Sequence, residues 1–206
     1  MKLHPDRRYA GAMTVEPLPD WVIPPAGGFT VEDFLELRGL PKHTELIDGG
    51  LVFVSPQERW HSRAVSILWR DLDQQTPPDL YADREMAVKL GPRQMPEPDV
   101  LVVSRAASRR AAPSTYYFAE DVVLAVEAVS PDSEERDRET KPAKYAKAGI
   151  PNYWRVERRG DEAVVYVYEL DPVVRCYVPV GIFHDRLKIS VPFPIDIHLT
   201  SIGQRG

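Results

Sequence analysis

Two carboxylates each sit against a run of strand-forming apolar residues: Asp99 in Pro98-Asp99-Val100-Leu101-Val102-Val103, and Glu127 in Val122-Val123-Leu124-Ala125-Val126-Glu127-Ala128-Val129. Such a carboxylate is costly to bury unless positive charge compensates it, and two of them point to a shared cation. Phosphodiester hydrolysis is one chemistry that wants this. It needs a nucleophilic water, stabilisation of the charge added to the phosphate, and help for the leaving oxygen, all of which Mg²⁺ can supply. Mg²⁺ takes oxygen ligands in an octahedral array and keeps several of its waters, so a few carboxylates suffice. If the two strands are neighbours, about 4.8 Å apart, both acids can project from one face and one end of the sheet.

The elements that must position these residues follow from the local patterning. Residues 1–28 carry Pro5, Pro17, Pro19, Pro24 and Pro25 with Gly27 and Gly28 and show no apolar periodicity, which predicts a loosely held arm before a domain over 29–206. A short helix is expected from Thr30 to Gly39, opened by a capping threonine with an acid three positions on. Asp48-Gly49-Gly50 between apolar runs predicts a hairpin over 45–54. The spacing of Ala64, Val65, Leu68, Trp69 and Leu72 predicts a helix over 58–75. Segments 84–90, 99–103 and 121–129 read as strands, the last apolar on both faces and therefore central. A helix is expected over 137–148 with Pro142 in its first turn, then strands over 152–156, 163–170, 173–180 and 187–191 that form a closing meander. The pattern is mixed α/β (α+β), a central mixed sheet flanked by helices with an added C-terminal β-meander.

Composition narrows the class. Hydrophobic residues make up 43% and charged residues 28% of the 206, as in an ordinary globular protein. No apolar stretch reaches the roughly 18 residues of a membrane span, and the start lacks a signal-peptide core, so a cytoplasmic protein is expected. The single cysteine, Cys176, has no partner for a disulfide or a thiolate zinc site and reads as a core or edge-strand residue. A net charge of −5 argues against a uniformly basic nucleic-acid-coating surface but leaves room for a local groove. No glycine-rich loop ends in Gly-Lys-Ser or Gly-Lys-Thr, so no nucleoside triphosphate motif is present.

The stretch after Glu127 is more specific: Ser130-Pro131-Asp132-Ser133, Arg136-Asp137-Arg138, Lys141, Tyr145, Ala148-Gly149-Ile150-Pro151 and Tyr153-Trp154. With Glu45-Leu46-Ile47-Asp48-Gly49, Ser55-Pro56, His61 and Pro98-Asp99-Val100, it resembles the Uma2 family of bacterial restriction-type endonucleases over about residues 30–190. That family looks like a branch of the PD-(D/E)xK nuclease superfamily. The resemblance implies a restriction-endonuclease-like core and metal-dependent cleavage of DNA. It also implies Asp99, Glu127 and Glu45 as ligands of Mg²⁺, with Mn²⁺ as a substitute. The superfamily pattern places a lysine two residues after the second acid, where this chain has Val129. A lysine amine can polarise the attacking water from another backbone position if it reaches the same point. Lys141 is the candidate, with Lys144 one helical turn on as the alternative.

Other residues carry weaker signals. His61 suits a phosphate contact, proton transfer, or a plain capping or core role. Asp48 has local backbone reasons to sit in a turn. Tyr145, Tyr153 and Trp154 read as core packing, and Arg136, Arg138, Lys144, Lys147, Arg105, Arg109 and Arg110 as phosphate contacts or solvated charge. Besides the enzyme, a nucleic-acid-binding or interaction module with a degenerate nuclease fold stays open, favoured by Val129. A structural dimer module is a third reading. A homodimer through the Val- and Tyr-rich C-terminal strands would suit symmetric cutting of both DNA strands.

Overall fold

The computed structural model describes residues 23–203, so most of the proline-rich arm expected over 1–28 lies outside the described residues. Where the chain enters, it is tied to the hairpin: Phe29 N donates to Gly49 O at 2.8 Å. Gly28, at φ +82°, lies so close that an added Cβ would stand 2.6 Å from that same carbonyl. Helix α1 (Val31–Glu36) starts from a reciprocal capping box between Thr30 and Asp33. Strands β1 (Glu45–Ile47) and β2 (Gly50–Val52) form the hairpin expected from Asp-Gly-Gly. Its two turn residues, Asp48 at φ 54° and Gly49 at φ 79°, are both left-handed, as a two-residue turn of the I′ type requires.

Helix α2 (Arg59–Gln75) follows, then β3 (Leu80–Arg84), β4 (Ala87–Lys89), β5 (Val100–Ser104), the short α3 (Arg105–Ser108), β6 (Tyr116–Phe118) and β7 (Val122–Ala128). After β7 come a π-helical turn, Arg136–Thr140, and α4 (Lys141–Ala148), then β8 (Asn152–Arg159), β9 (Glu162–Asp171), β10 (Cys176–Phe183), β11 (Arg186–Ile189), β12 (Ile195–His198) and α5 (Thr200–Gly203). The central sheet is mixed, six strands in the order β10-β9-β8-β7-β5-β3. Its one parallel pair is β7 with β8, joined by the crossover through α4; the other neighbours are antiparallel.

Alternation along the strands sorts the core into two layers. Val100, Val102, Leu124, Val126 and Trp154 pack with Ala64, Leu68 and Leu72 of α2. Leu101, Val103, Ala125 and Tyr153 pack with Tyr145 of α4 on the other face. β5 and β7 are therefore apolar on both sides, as expected of central strands.

Three expectations change in detail. The strand predicted over 84–90 is broken: Glu85 takes φ 52°, and β3 ends at Arg84 while β4 starts at Ala87 and pairs elsewhere, with β6. Alternation alone could not reveal this break, since the side-chain pattern continues across it. The strand predicted over 173–180 is shifted to 176–183, because Val173 to Arg175 form a turn in which Asp171 accepts from the backbone of Val173 and Val174. The meander of β8, β9 and β10 extends the central sheet itself rather than standing beside it. Cys176 is free and exposed at the start of edge strand β10. No described helix is long and apolar enough to cross a membrane.

Candidate active site

Asp99 immediately precedes β5, and the β5–β7 register, which sets Val100 opposite Val126, puts Asp99 across from Glu127. The two are also joined through backbone: Asp99 Oδ2 accepts from Ala128 N at 2.7 Å. By alternation Glu127 shares the α4 face with Ala125, and there it is only 1% exposed. Its two oxygens have different partners. Oε2 accepts from Lys141 Nζ at 3.1 Å and Oε1 from the Tyr145 hydroxyl at 2.6 Å.

Lys141 is the hub. Its ammonium also stands 2.9 Å from Glu45 Oε1 and 3.5 Å from Asp137 Oδ1, and the residue is just 5% exposed. Glu45 enters from β1, where the hairpin delivers it. Glu97 N donates to the same Glu45 oxygen at 2.7 Å and so fixes that carboxylate from the strand-entry loop. Asp137 and Lys141 come from the wide turn that leads into α4. Pro142 has no N–H to give to the preceding turn, and the helix there opens to π spacing before regular α4 begins. Asp137, Lys141 and Tyr145, four residues apart in sequence, thus line up along one helix face toward the strand ends.

The remaining sequence candidates divide. His61, buried in the first turn of α2, places Nε2 3.2 Å from Asp99 Oδ1. Lys144 is not brought to the acids: its amine bonds both Asp48 oxygens at 2.7 Å, tying α4 to the hairpin turn. Val129 stands outside the cluster, in a separate cleft beside Trp60 and Arg138. Two members went unrecognised in the sequence. Asp137 lay in a charged run that reads as solvated, and Tyr145 was assigned to core packing, whereas its hydroxyl closes the coordination of Glu127. The usable signal was the spacing of Asp137, Lys141 and Tyr145, polar groups along a helix face that should otherwise be apolar.

Glu45, His61, Asp99, Glu127, Asp137 and Lys141 line a cavity of about 350 Å³ that also takes in Glu85, Glu97 and His43. Its charge is lopsided. Burial first, then Asp137, Asp99 and Glu45, push the Glu127 carboxyl well above the usual range against the pull of Lys141. Asp137 and Glu97 are raised too, again chiefly by burial. Burial works against a charged Lys141, but Glu127, Glu45, Asp137 and Asp99 outweigh it and hold the amine well above its ordinary value. For His61 burial again opposes the charged form, and the bond to Asp99 together with the charges of Asp99, Asp137 and Glu85 outweighs it, raising it. Burial is the larger cause for the three acids, and in every case neighbouring carboxylates push the same way, so the cavity carries an excess of negative charge that favours taking up positive charge.

That excess is the test of whether a divalent cation fits. The donors are carboxylate oxygens, the type that Mg²⁺ prefers, and Asp137 Oδ1 is buried with no hydrogen-bond partner. Among the described residues no three His, Cys, Asp or Glu side chains close into a ready cage. The carboxylate donors and the surplus of negative charge are what a divalent cation asks for. The residues present therefore fit the group.

Fold and site together define a protein of the nuclease-like α+β class. A crystal structure of a "putative nuclease belonging to DUF820" from Anabaena variabilis superposes with a TM-score of 0.64 at 18% identity, covering 85% of this chain and 97% of that one. The model of the Uma2 family, described as "Putative restriction endonuclease", matches residues 31–201, and the chain belongs to that family. No curated protein matches the sequence.

Proposed function

We propose that this protein is a divalent-metal-dependent endonuclease that hydrolyses phosphodiester bonds in DNA. The observation that carries the reading is the buried constellation of Glu45, Glu127 and Asp137 around Lys141, with Asp99 across the strand, at the wall of one cavity. Asp99, Glu127 and Glu45 would hold Mg²⁺ or Mn²⁺, which when bound supplies charge for the phosphate and an activated water.

The chain's own groups do the rest. Tyr145 and Lys141 fix the rotamer of Glu127, while Ala128 N and His61 fix Asp99, so the acids are held before substrate arrives. Lys141 is positioned to orient a water with a remaining ammonium proton and to offset charge as it develops on the phosphate. It would thereby take the role that the superfamily pattern gives to a lysine at position 129. His61, 3.2 Å from Asp99 at the wall of the same cavity, is the group available for proton transfer to a leaving oxygen.

The test is nicking of supercoiled plasmid in Mg²⁺ or Mn²⁺ by the full chain, beside Asp99→Ala. The expected outcome is strand cleavage that falls by on the order of 10²-fold or more in the variant. Wild-type nicking no greater than that of Asp99→Ala would overturn the enzyme and leave the module that binds without cutting.

A further inference from the structure

The cavity presents six carboxylates, those of Glu45, Glu85, Glu97, Asp99, Glu127 and Asp137, which is a poor surface for a polyanion. Two permanently charged cations share it, Lys141 and Arg136. Lys141 is shared among Glu45, Glu127 and Asp137 and has at most one ammonium proton to spare. Arg136 is different. Among the described residues its side chain makes no ion pair, and its Nε is buried at the cavity with no hydrogen-bond partner.

That isolation is unusual among its neighbours in sequence. Arg138, two residues on, is clamped to Glu157 by two bonds and also pairs with Glu134. Lys144 is held by Asp48. A buried guanidinium N–H left without an acceptor is costly, and in a native structure it asks for a reason. Arg136 opens the π-helical turn whose next residues include Asp137 and, directly after it, Lys141, so its position is fixed by the same backbone that fixes the acid cluster. Ser130 and Ser133, which line the same cavity, add hydroxyl donors beside it and are ordered by their own bond at 3.0 Å.

We infer that Arg136 is a phosphate-binding residue of the site: its planar fork donates to the non-bridging oxygens of a nucleic-acid backbone phosphate and holds the strand against the acid cluster. Arginine suits this better than lysine, because two parallel N–H groups match two phosphate oxygens, and because it stays charged at any working pH. The contact is made to the sugar-phosphate backbone and carries no base information. The inference rests on the nuclease reading for its ligand, but binding tests it independently of cutting.

The experiment uses the full chain and a fluorescein-labelled duplex DNA oligonucleotide in Ca²⁺, with fluorescence anisotropy read over a series of salt concentrations. Compared are wild type, Arg136→Gln, Arg136→Lys, and Lys147→Gln as an exposed control on α4. Circular dichroism melts establish that each variant is folded. Arg136→Gln is expected to weaken binding by about tenfold, and to reduce the slope of log K against log salt by about one. Arg136→Lys should recover the slope but only part of the affinity, and Lys147→Gln should match wild type. If Arg136→Gln binds with wild-type affinity and slope, or if wild type does not bind the duplex, the inference fails. Wild type that binds through Arg136 yet nicks no plasmid would uphold it while removing the endonuclease, and wild type that nicks while Arg136→Gln binds normally would do the reverse.

Discussion

Asp121 and Glu127 lie on one short stretch of chain, the first just before β7 and the second near its end, and both are buried beside a cation. Asp121 meets Arg110 through two parallel bonds of 2.9 Å and takes a third from Phe118 N at 3.1 Å. One negative charge faces one positive charge, and although burial opposes ionisation, Arg110 outweighs it and holds the carboxyl below its ordinary value. Glu127 shares a single ammonium with Glu45 and Asp137, and its carboxyl is driven upward. The two carboxyls thus differ in depth of burial and in charge balance: Glu127 is the more deeply buried, and it shares one ammonium with two other acids. A balanced pair contributes to stability. An excess of carboxylates costs stability in the free protein, and on the function proposed above a divalent cation would offset it.

The sharpest way to break that contrast is to remove the ammonium that Glu45, Glu127 and Asp137 share. Lys141→Met leaves Glu45, Glu127 and Asp137 buried against one another. The expected loss is about 3–5 kcal/mol of unfolding free energy in urea without divalent ions, together with loss of nicking. Mg²⁺ should restore more of the variant's melting temperature than it adds to wild type, because the ion then replaces the missing positive charge. A Lys141→Met protein as stable as wild type would show that the ammonium does not hold these acids.

A crossed pair of substitutions has smaller effects of opposite sign. Asp121→Asn leaves Arg110 without its counter-charge, and since Arg110 is screened by solvent the loss of melting temperature should be small, with nicking unchanged. Glu127→Gln removes one charge from the excess, so stability should hold or rise by about 1 kcal/mol while nicking falls by on the order of 10²-fold. Thermal melts and plasmid nicking on the same preparations decide it. If both variants lose stability equally, the two carboxylates are the same kind of pair.

The sequence displayed one side of this comparison better than the other. Asp99 and Glu127 were legible because a carboxylate within a Val-rich strand is an anomaly that local patterning registers, and the hairpin carrying Glu45 was legible from Asp-Gly-Gly. Lys141 became a candidate because Val129 left a vacancy in a known pattern. The spatial partners were harder to see. Tyr145 has the composition of a core residue and is one, with an additional bond from its hydroxyl that composition does not encode. The offset between Lys141 and Lys144 depends on the π turn and on where Asp48 waits, which are tertiary facts. The balanced Arg110–Asp121 pair was invisible for a similar reason: Arg110 stood among charges that read as solvated.

The finest test of the contrast is the pH dependence of the two variants. Asp121, held low in the folded state, contributes stability that is present above the unfolded carboxyl value and is lost as pH falls through the folded one. The gap between wild type and Asp121→Asn should therefore close in acid. Glu127, held high, works in the opposite sense: the folded protein's advantage is complete below the unfolded value and declines as pH rises toward the folded one. Glu127→Gln imitates the protonated carboxyl at every pH, so its melting temperature should gain on wild type as pH rises from about 4 to 7 in the absence of divalent ions. Each difference amounts to a few degrees at most, about what 1 kcal/mol produces in a chain of this size. Slopes of the same sign for the two variants would mean that the cluster around Lys141 carries no excess charge, and the case for a cation at Asp99, Glu127 and Glu45 would lose its physical basis.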